Sequence, residues 1–164
     1  MDTTVTPDRA AIRSAIEAMA PEFATRVGEM GDDGWKTKSG IPAYTCGQLA
    51  WHLAAASGFL AGETAKAKDG KALNPPAFLR PVLYKLSELR VRVASRKATP
   101  ASVLADFDSG TRKLLEVLES FDDETLRSSA TRMGETLTIA ALLHKPMEHL
   151  AEHSAQIRAG LRDA

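Results

Sequence analysis

Residues 147–157 read MEHLAEHSAQI, and they place His149 and His153 four residues apart in a segment whose apolar residues recur at helical spacing. On an α-helix, residues four apart lie about 40° from each other and one turn along, so the two imidazoles project side by side. Helical zinc motifs use this geometry to chelate one ion. Two surface histidines would show the same spacing, so the pair alone leaves a metal site and a solvated helix face both open.

Four segments, including this one, carry helical periodicity behind a start signal. The signals are N-cap threonines, two of them followed by proline and one closing a capping box: Thr6–Pro7, Thr45 with Gln48, Thr99–Pro100 and Thr138. The predicted helices lie near 7–29, 46–66, 100–120 and 138–162. Because no stretch alternates strongly enough to predict a strand, the expected fold is all-α, a four-helix bundle.

Two features modify this pattern. The sequence GDDG at 31–34 is expected to end the first helix, and Pro146 predicts a kink or a restarted helix within the last. The connection over 66–98 is long, and a short helix is expected within 77–94.

Length and composition limit the classes of protein. With 164 residues, one domain over 1–164 is expected. The formal net charge is zero, so general affinity for nucleic acid or an anionic membrane is not indicated. The N-terminus lacks the features of a signal peptide and no apolar run is long enough to span a bilayer, so we expect a cytoplasmic protein. Cys46, the only cysteine, can form no intramolecular disulfide.

The connection over 66–98 is strongly basic, with nine lysines and arginines against two acidic residues. It is either a solvated surface or a lid that attracts an anionic ligand. Nucleic-acid binding by this segment is the weakest hypothesis, because interleaved aromatic residues for base stacking are missing.

His52 adds a third imidazole to the pair. It lies beside Leu53 on the apolar side of the second helix, while Leu150 and Ile157 bracket His153 in the last. Burying polar groups without partners is costly, and one shared metal ion would satisfy all three rings. His144 is out of register with His149 and is expected to have a surface or capping role. Cys46 is expected to be a small residue in a first helical turn.

The motifs together resemble the DinB-like superfamily, which includes the N-terminal domain of mycothiol-dependent maleylpyruvate isomerase and the bacillithiol transferases. The resemblance covers essentially the whole chain and rests on a tryptophan-bearing loop followed by QLAWHL (48–53), MGETLT (133–138) and HLAEHSAQI (149–157). It implies a four-helix bundle of the DinB-like type with a divalent zinc or nickel site. It also implies that His52, His149 and His153 are the metal ligands and that Gln156 faces the site as a cofactor-binding residue.

Three neutral imidazoles leave an open coordination position, as in catalytic metal sites, and all-nitrogen ligation favours zinc, nickel, iron or copper. One hypothesis is an enzyme of thiol S-transfer or isomerisation that activates a low-molecular-weight thiol, with metal-dependent hydrolysis as the runner-up. The alternative is a non-catalytic module that binds a metal or a small ligand. The expected partners are a small-molecule substrate or thiol and a second copy in a homodimer, with no nucleic acid and no membrane.

Overall fold

Helices make up most of the computed structural model, which describes residues 8–163. The helices of this range are α1 (Arg9–Lys36), α2 (Cys46–Ala67), α3 (Arg80–Ala94), α4 (Pro100–Ser120), α5 (Asp123–Arg127) and α6 (Ile139–Arg162). Short 3₁₀ turns, Ala77–Leu79 and Ser95–Lys97, flank α3. The predicted all-α class is therefore confirmed, as is the short helix within 77–94.

The helix starts agree closely with the capping signals. Thr45 and Gln48 form the predicted reciprocal capping box, and the Thr99 hydroxyl accepts a hydrogen bond from the Ser102 amide. Thr138 likewise caps α6. Thr6 and Pro7 lie outside the described residues, and α1 begins at Arg9 with the Asp8 carboxylate as its N-cap. Local side-chain hydrogen bonds thus set where these helices begin.

The predicted end of the first helix is only partly correct. Gly31 leaves helical geometry with φ 55°, a left-handed conformation that favours glycine, but a further helical turn then continues to Lys36. Trp35 of that turn packs against Gly47 of α2, so closely that a Cβ on this glycine would lie 2.5 Å from the indole ring. Contact with a second helix therefore holds the turn that the GDDG sequence alone would have ended.

Of the two outcomes predicted at Pro146, a kink or a restarted helix, the restart is wrong. The last helix, α6, is continuous over Ile139–Arg162 with Pro146 inside it. The proline is buried on the same apolar side as Leu143 and Leu150, so packing of that side against the core outweighs the lost backbone hydrogen bond.

The expectation of no strands is wrong at one place, where a hairpin joins α5 to α6. Strands β1 (Ser129–Arg132) and β2 (Glu135–Thr138) pair antiparallel across a two-residue turn. Met133 and Gly134 in that turn have φ of 51° and 84°, the positive values that tight hairpin turns require. The Met133 amide donates to the Leu73 carbonyl at 2.8 Å, so the tip is tied to the connection after α2.

The core lies where α1, α2, α4 and α6 meet, and each of α1 and α2 contacts both α4 and α6. Phe23 and Phe107 stack at its centre with ring centroids 4.1 Å apart. Helix α4 approaches α2 closely, because Gly110 faces Ser57 with no room for a side chain. These contacts position α2 beside α6, the two helices that carry the candidate histidines.

Helix α3 has two apolar faces. Leu83 and Val91 on one face line a cavity beside α2 and α6. A second face exposes large hydrophobic side chains at coiled-coil spacing, of which Leu86 also borders the cavity: Val82, Leu86, Leu89 and Val93. Within residues 8–163, no helix combines the length and apolar character needed to cross a lipid bilayer.

Candidate metal centre

The structure brings the three predicted histidines together. His52 lies in the second turn of α2, and His149 and His153 lie one turn apart in α6. One ring nitrogen from each forms a group whose members all lie within 4.8 Å of one another. His52 therefore lies close to His149 and His153, and its ring faces the same space as theirs.

The rings face each other edge to face. Their planes are inclined by 87°, 75° and 66°, with centroids 4.5 to 5.1 Å apart. The Nε2 atoms of His52 and His149 lie 3.1 Å apart. Two ligands of one tetrahedral zinc ion, each bonded at about 2.0–2.1 Å, would lie about 3.3 Å from each other. The separation of the His52 and His149 nitrogens is therefore close to what a shared ion needs.

A hydrogen bond to Gln156 orients the third ring. The Nδ1 atom of His153 lies 2.5 Å from Gln156 Oε1, which can only accept, so Nδ1 carries the proton. The Nε2 lone pair is then free to bind a metal ion, as in metal sites where a ligating histidine donates its other N–H to an acceptor. Gln156 in turn donates to Glu152 at 3.3 Å. Gln156 is half-buried and does not line the cavity, so its predicted cofactor-binding role stays a prediction.

Burial keeps two of the rings neutral. Desolvation lowers the pKa of His52 to about 4, with a smaller effect from the nearby His153. Desolvation also lowers the pKa of His149 to about 3, followed by the effects of His153, His52 and Arg132. At neutral pH both imidazoles therefore have the uncharged form that metal ligation needs.

The same shifts predict that the metal-free protein loses stability in acid. Because the folded-state pKa of His149 lies below the ordinary 6.5, the unfolded chain takes up a proton first as the pH falls. The contribution of neutral His149 to the free energy of unfolding is thus fully present above pH 6.5. It declines as the pH falls toward the folded-state pKa of about 3. We expect the melting temperature of metal-free wild type to fall more steeply between pH 7 and about 4 than that of His149→Gln. A His144→Gln control should follow wild type, and parallel curves for all three would contradict the assignment.

A cavity of about 890 Å³ opens beside the histidines, between α2, α3, α6 and the hairpin. Aromatic side chains form part of its wall: Tyr44, Trp51, Phe59 and Tyr84. Its acidic residues are Glu88, Glu135, Glu148 and Glu152, and its basic residues are Arg90, Arg132 and Lys145. Of the 66–98 connection, Leu73 and residues of α3 line the cavity, and Arg90 is the one of its nine basic residues among them.

Sequence reasoning missed Arg132. This residue comes two positions before Gly134, and the Met-Gly turn was the one available signal that a hairpin would carry it into the cavity. His144 and Cys46, which the sequence analysis also considered, lie outside the histidine cluster. His144 is partly buried and does not line the cavity. Cys46 is buried in the first turn of α2, where desolvation raises the pKa of its thiol, so it is a poor nucleophile.

Comparison with known protein families gives one match. A family model described as the mycothiol maleylpyruvate isomerase N-terminal domain matches residues 16–158, which include all three histidines and the hairpin. No curated protein and no solved structure matches the chain.

Proposed function

This chain belongs to the mycothiol maleylpyruvate isomerase N-terminal domain family, within the DinB-like superfamily, and from that membership we propose that it is a metal-dependent enzyme of thiol S-transfer or isomerisation. The single observation that carries the proposal is the convergence of the His52, His149 and His153 ring nitrogens within 4.8 Å. The cluster lies at the wall of a cavity large enough for a small substrate.

The proposed ligands are these three imidazoles. All-nitrogen donors suit zinc or nickel, and three protein ligands leave an open position toward the cavity. A bound ion would supply one chemical effect, a lower pKa for a coordinated thiol so that its sulfur reacts as thiolate. Gln156 holds the His153 ring in the orientation and tautomer that ligation requires.

The cavity wall provides the place for the electrophile. Trp51 and Phe59 from α2 and Tyr84 from α3 offer flat apolar surface for an aromatic or unsaturated carbon skeleton. With a haloarene, the thiol sulfur forms a bond to the ring carbon and the carbon–halogen bond breaks, with the electron pair leaving on the halide. The thiol proton passes to solvent. The cavity walls hold the reacting carbon near the histidine cluster, which lowers the entropic cost of the encounter.

The contacts that α1 and α2 each make with α4 and α6 support a four-helix bundle of the DinB-like type. We propose a cytoplasmic homodimer whose partners are a small-molecule substrate or thiol, with no nucleic acid and no membrane. The exposed apolar face of α3 supports a protein interface, because contiguous exposed apolar surface is typical of interaction sites.

Metal removal is the experiment that tests this function. Protein purified without a histidine tag is expected to hold about one zinc or nickel ion per chain, measured by mass spectrometry, and to melt at a higher temperature with metal than without. Conjugation of 1-chloro-2,4-dinitrobenzene should be assayed with mycothiol, bacillithiol, coenzyme A and glutathione. At least one thiol should give turnover that chelation abolishes and added metal restores.

Two results would contradict parts of the proposal. Metal-loaded protein that binds a thiol without turning over the electrophile would favour the alternative, a non-catalytic metal- or ligand-binding module. Turnover that persists after complete metal removal would show that the histidine cluster does not act through an ion.

A further inference from the structure

One basic side chain in the cavity wall has no partner. Arg132, the last residue of β1, lines the cavity together with His149. Its Nε atom is buried without a hydrogen-bond partner, and the guanidinium forms no ion pair with any residue in the range 8–163. Buried polar groups in native proteins are nearly always hydrogen-bonded, so an unpaired guanidinium at a cavity indicates an acceptor that arrives with the ligand.

The other cations of the cavity are already engaged. Lys145 lies 3.6 Å from Glu135 and 3.3 Å from Glu148. Arg90 lies over the ring of Trp51, 6.0 Å from its centroid. Glu135 is the direct cross-strand partner of Arg132, and it nevertheless pairs with Lys145. Within residues 8–163, Arg132 is therefore the cation of this wall that has neither an ion pair nor an aromatic ring beneath it.

The backbone around Arg132 is held in place. The next two residues, Met133 and Gly134, donate hydrogen bonds to the Leu73 carbonyl and to Asn74 Oδ1, each at 2.8 Å. The Leu73 amide donates to Glu63, a buried carboxylate on α2. This chain of hydrogen bonds links the hairpin tip to a core helix. The backbone that carries the Arg132 side chain is thus held in place, which favours binding by reducing the ordering cost.

We propose that Arg132 anchors the electrophilic substrate by binding a single carboxylate that the substrate carries. The inference rests on the proposed function and names the substrate class, an apolar or aromatic electrophile with one anionic end. The two Nη groups of the guanidinium, which the protein does not enclose as it does Nε, match the two oxygens of a carboxylate, and the resulting charge-assisted bonds are among the strong ones. The aromatic wall takes the apolar body, and the three histidines line the same cavity as Arg132.

The acidic residues limit the ligand to one such group. Four glutamates line the cavity, and two of them, Glu135 and Glu148, neutralise Lys145. A second carboxylate would therefore meet negative charge, and Arg90, the other lining cation without an ion pair within residues 8–163, already lies over the Trp51 ring. Like charges in a partly desolvated site repel, so a dicarboxylate should bind less well than the matching monocarboxylate.

Equilibrium binding of three unreactive probes tests the proposal without requiring turnover. The probes are 3-nitrobenzoate, its neutral analogue 3-nitrobenzamide, and the dicarboxylate 5-nitroisophthalate, measured by calorimetry on metal-free and zinc-loaded protein. We expect the benzoate to bind at least about tenfold more tightly than either other probe, in both metal states. Arg132→Gln should lose the preference over the amide. Arg112→Gln, which removes an exposed α4 arginine paired with Asp108, should keep it.

The metal-free measurement separates this inference from the proposed function, since a failed metal site would leave the preference intact. Equal affinity for benzoate and amide, or an unchanged preference in Arg132→Gln, would overturn the anchor. A preference seen only with zinc would assign the carboxylate to the metal instead. Tighter binding of the dicarboxylate would overturn the limit to one charge. If Arg132→Gln does not fold, Arg132→Lys gives the test, because it keeps the charge and loses the two-pronged geometry, so the preference should shrink by at least about threefold.

Discussion

Replacing His153 with alanine is expected to lower the metal-dependent conjugation rate at least about tenfold and to weaken zinc binding by at least as much. The substitution removes one of three converging nitrogens, and it also leaves Gln156 without the ring that it orients. Two imidazoles from His52 and His149 would hold an ion less tightly and in a different geometry. Metal content after dialysis and the initial rate with the preferred thiol measure the two effects.

His144→Ala provides the matched control. It removes an imidazole from the same helix, and His144 does not line the cavity, so metal content and rate should stay near wild type. Loss of activity in both variants would indicate damage to α6 and not to the site. A His153→Ala protein that keeps the full metal content and rate would rule out His153 as a ligand.

Truncation of Phe107 is expected to have the largest effect on folding. Phe107 is 1% exposed, and its ring stacks on Phe23 between α1 and α4. Phe107→Ala removes buried apolar surface and leaves a cavity, which typically costs about 3–5 kcal/mol of the free energy of unfolding. Urea denaturation followed by circular dichroism measures the change.

An exposed phenylalanine serves as the control for that measurement. Phe78 precedes α3 and is 76% exposed, so Phe78→Ala should change the free energy of unfolding by no more than about 0.5 kcal/mol. Equal losses from the two substitutions would mean that the Phe78 side chain is covered in solution, as an interface on the exposed face of α3 would require. A small loss from Phe107→Ala would contradict the packing of the core.

The helices were predictable because their signals are local. A capping box needs only Thr45 and Gln48, three residues apart, and the periodic apolar positions of each helix repeat within one or two turns. The side-by-side placement of His149 and His153 follows from the same geometry of a single helix. Each of these features depends on residues close together in the chain, and each appears in the structure where the pattern indicates it.

The errors share one physical cause, since each is a local signal outweighed by a contact from elsewhere in the chain. Trp35 packs on Gly47 and keeps a helical turn after the break at Gly31. Pro146 stays inside a continuous helix because its side of α6 is buried in the core. The hairpin strands have only four residues each, and the tie to Leu73 stabilises their turn.

Helix periodicity and caps in the chain were thus enough to predict the four long helices and the side-by-side placement of His149 and His153. The distance from His52 to His149 depends instead on the packing of α2 against α6, because 97 positions of sequence separate the two residues. Arg132 enters the cavity only because the hairpin folds back onto the connection after α2. Tertiary packing also leaves the Arg132 guanidinium without an ion pair within residues 8–163. Glu135 is the cross-strand neighbour of Arg132, but its carboxylate pairs with Lys145. Such competition between side chains is settled by distances in the folded chain, which local hydrogen bonds and periodicity do not determine.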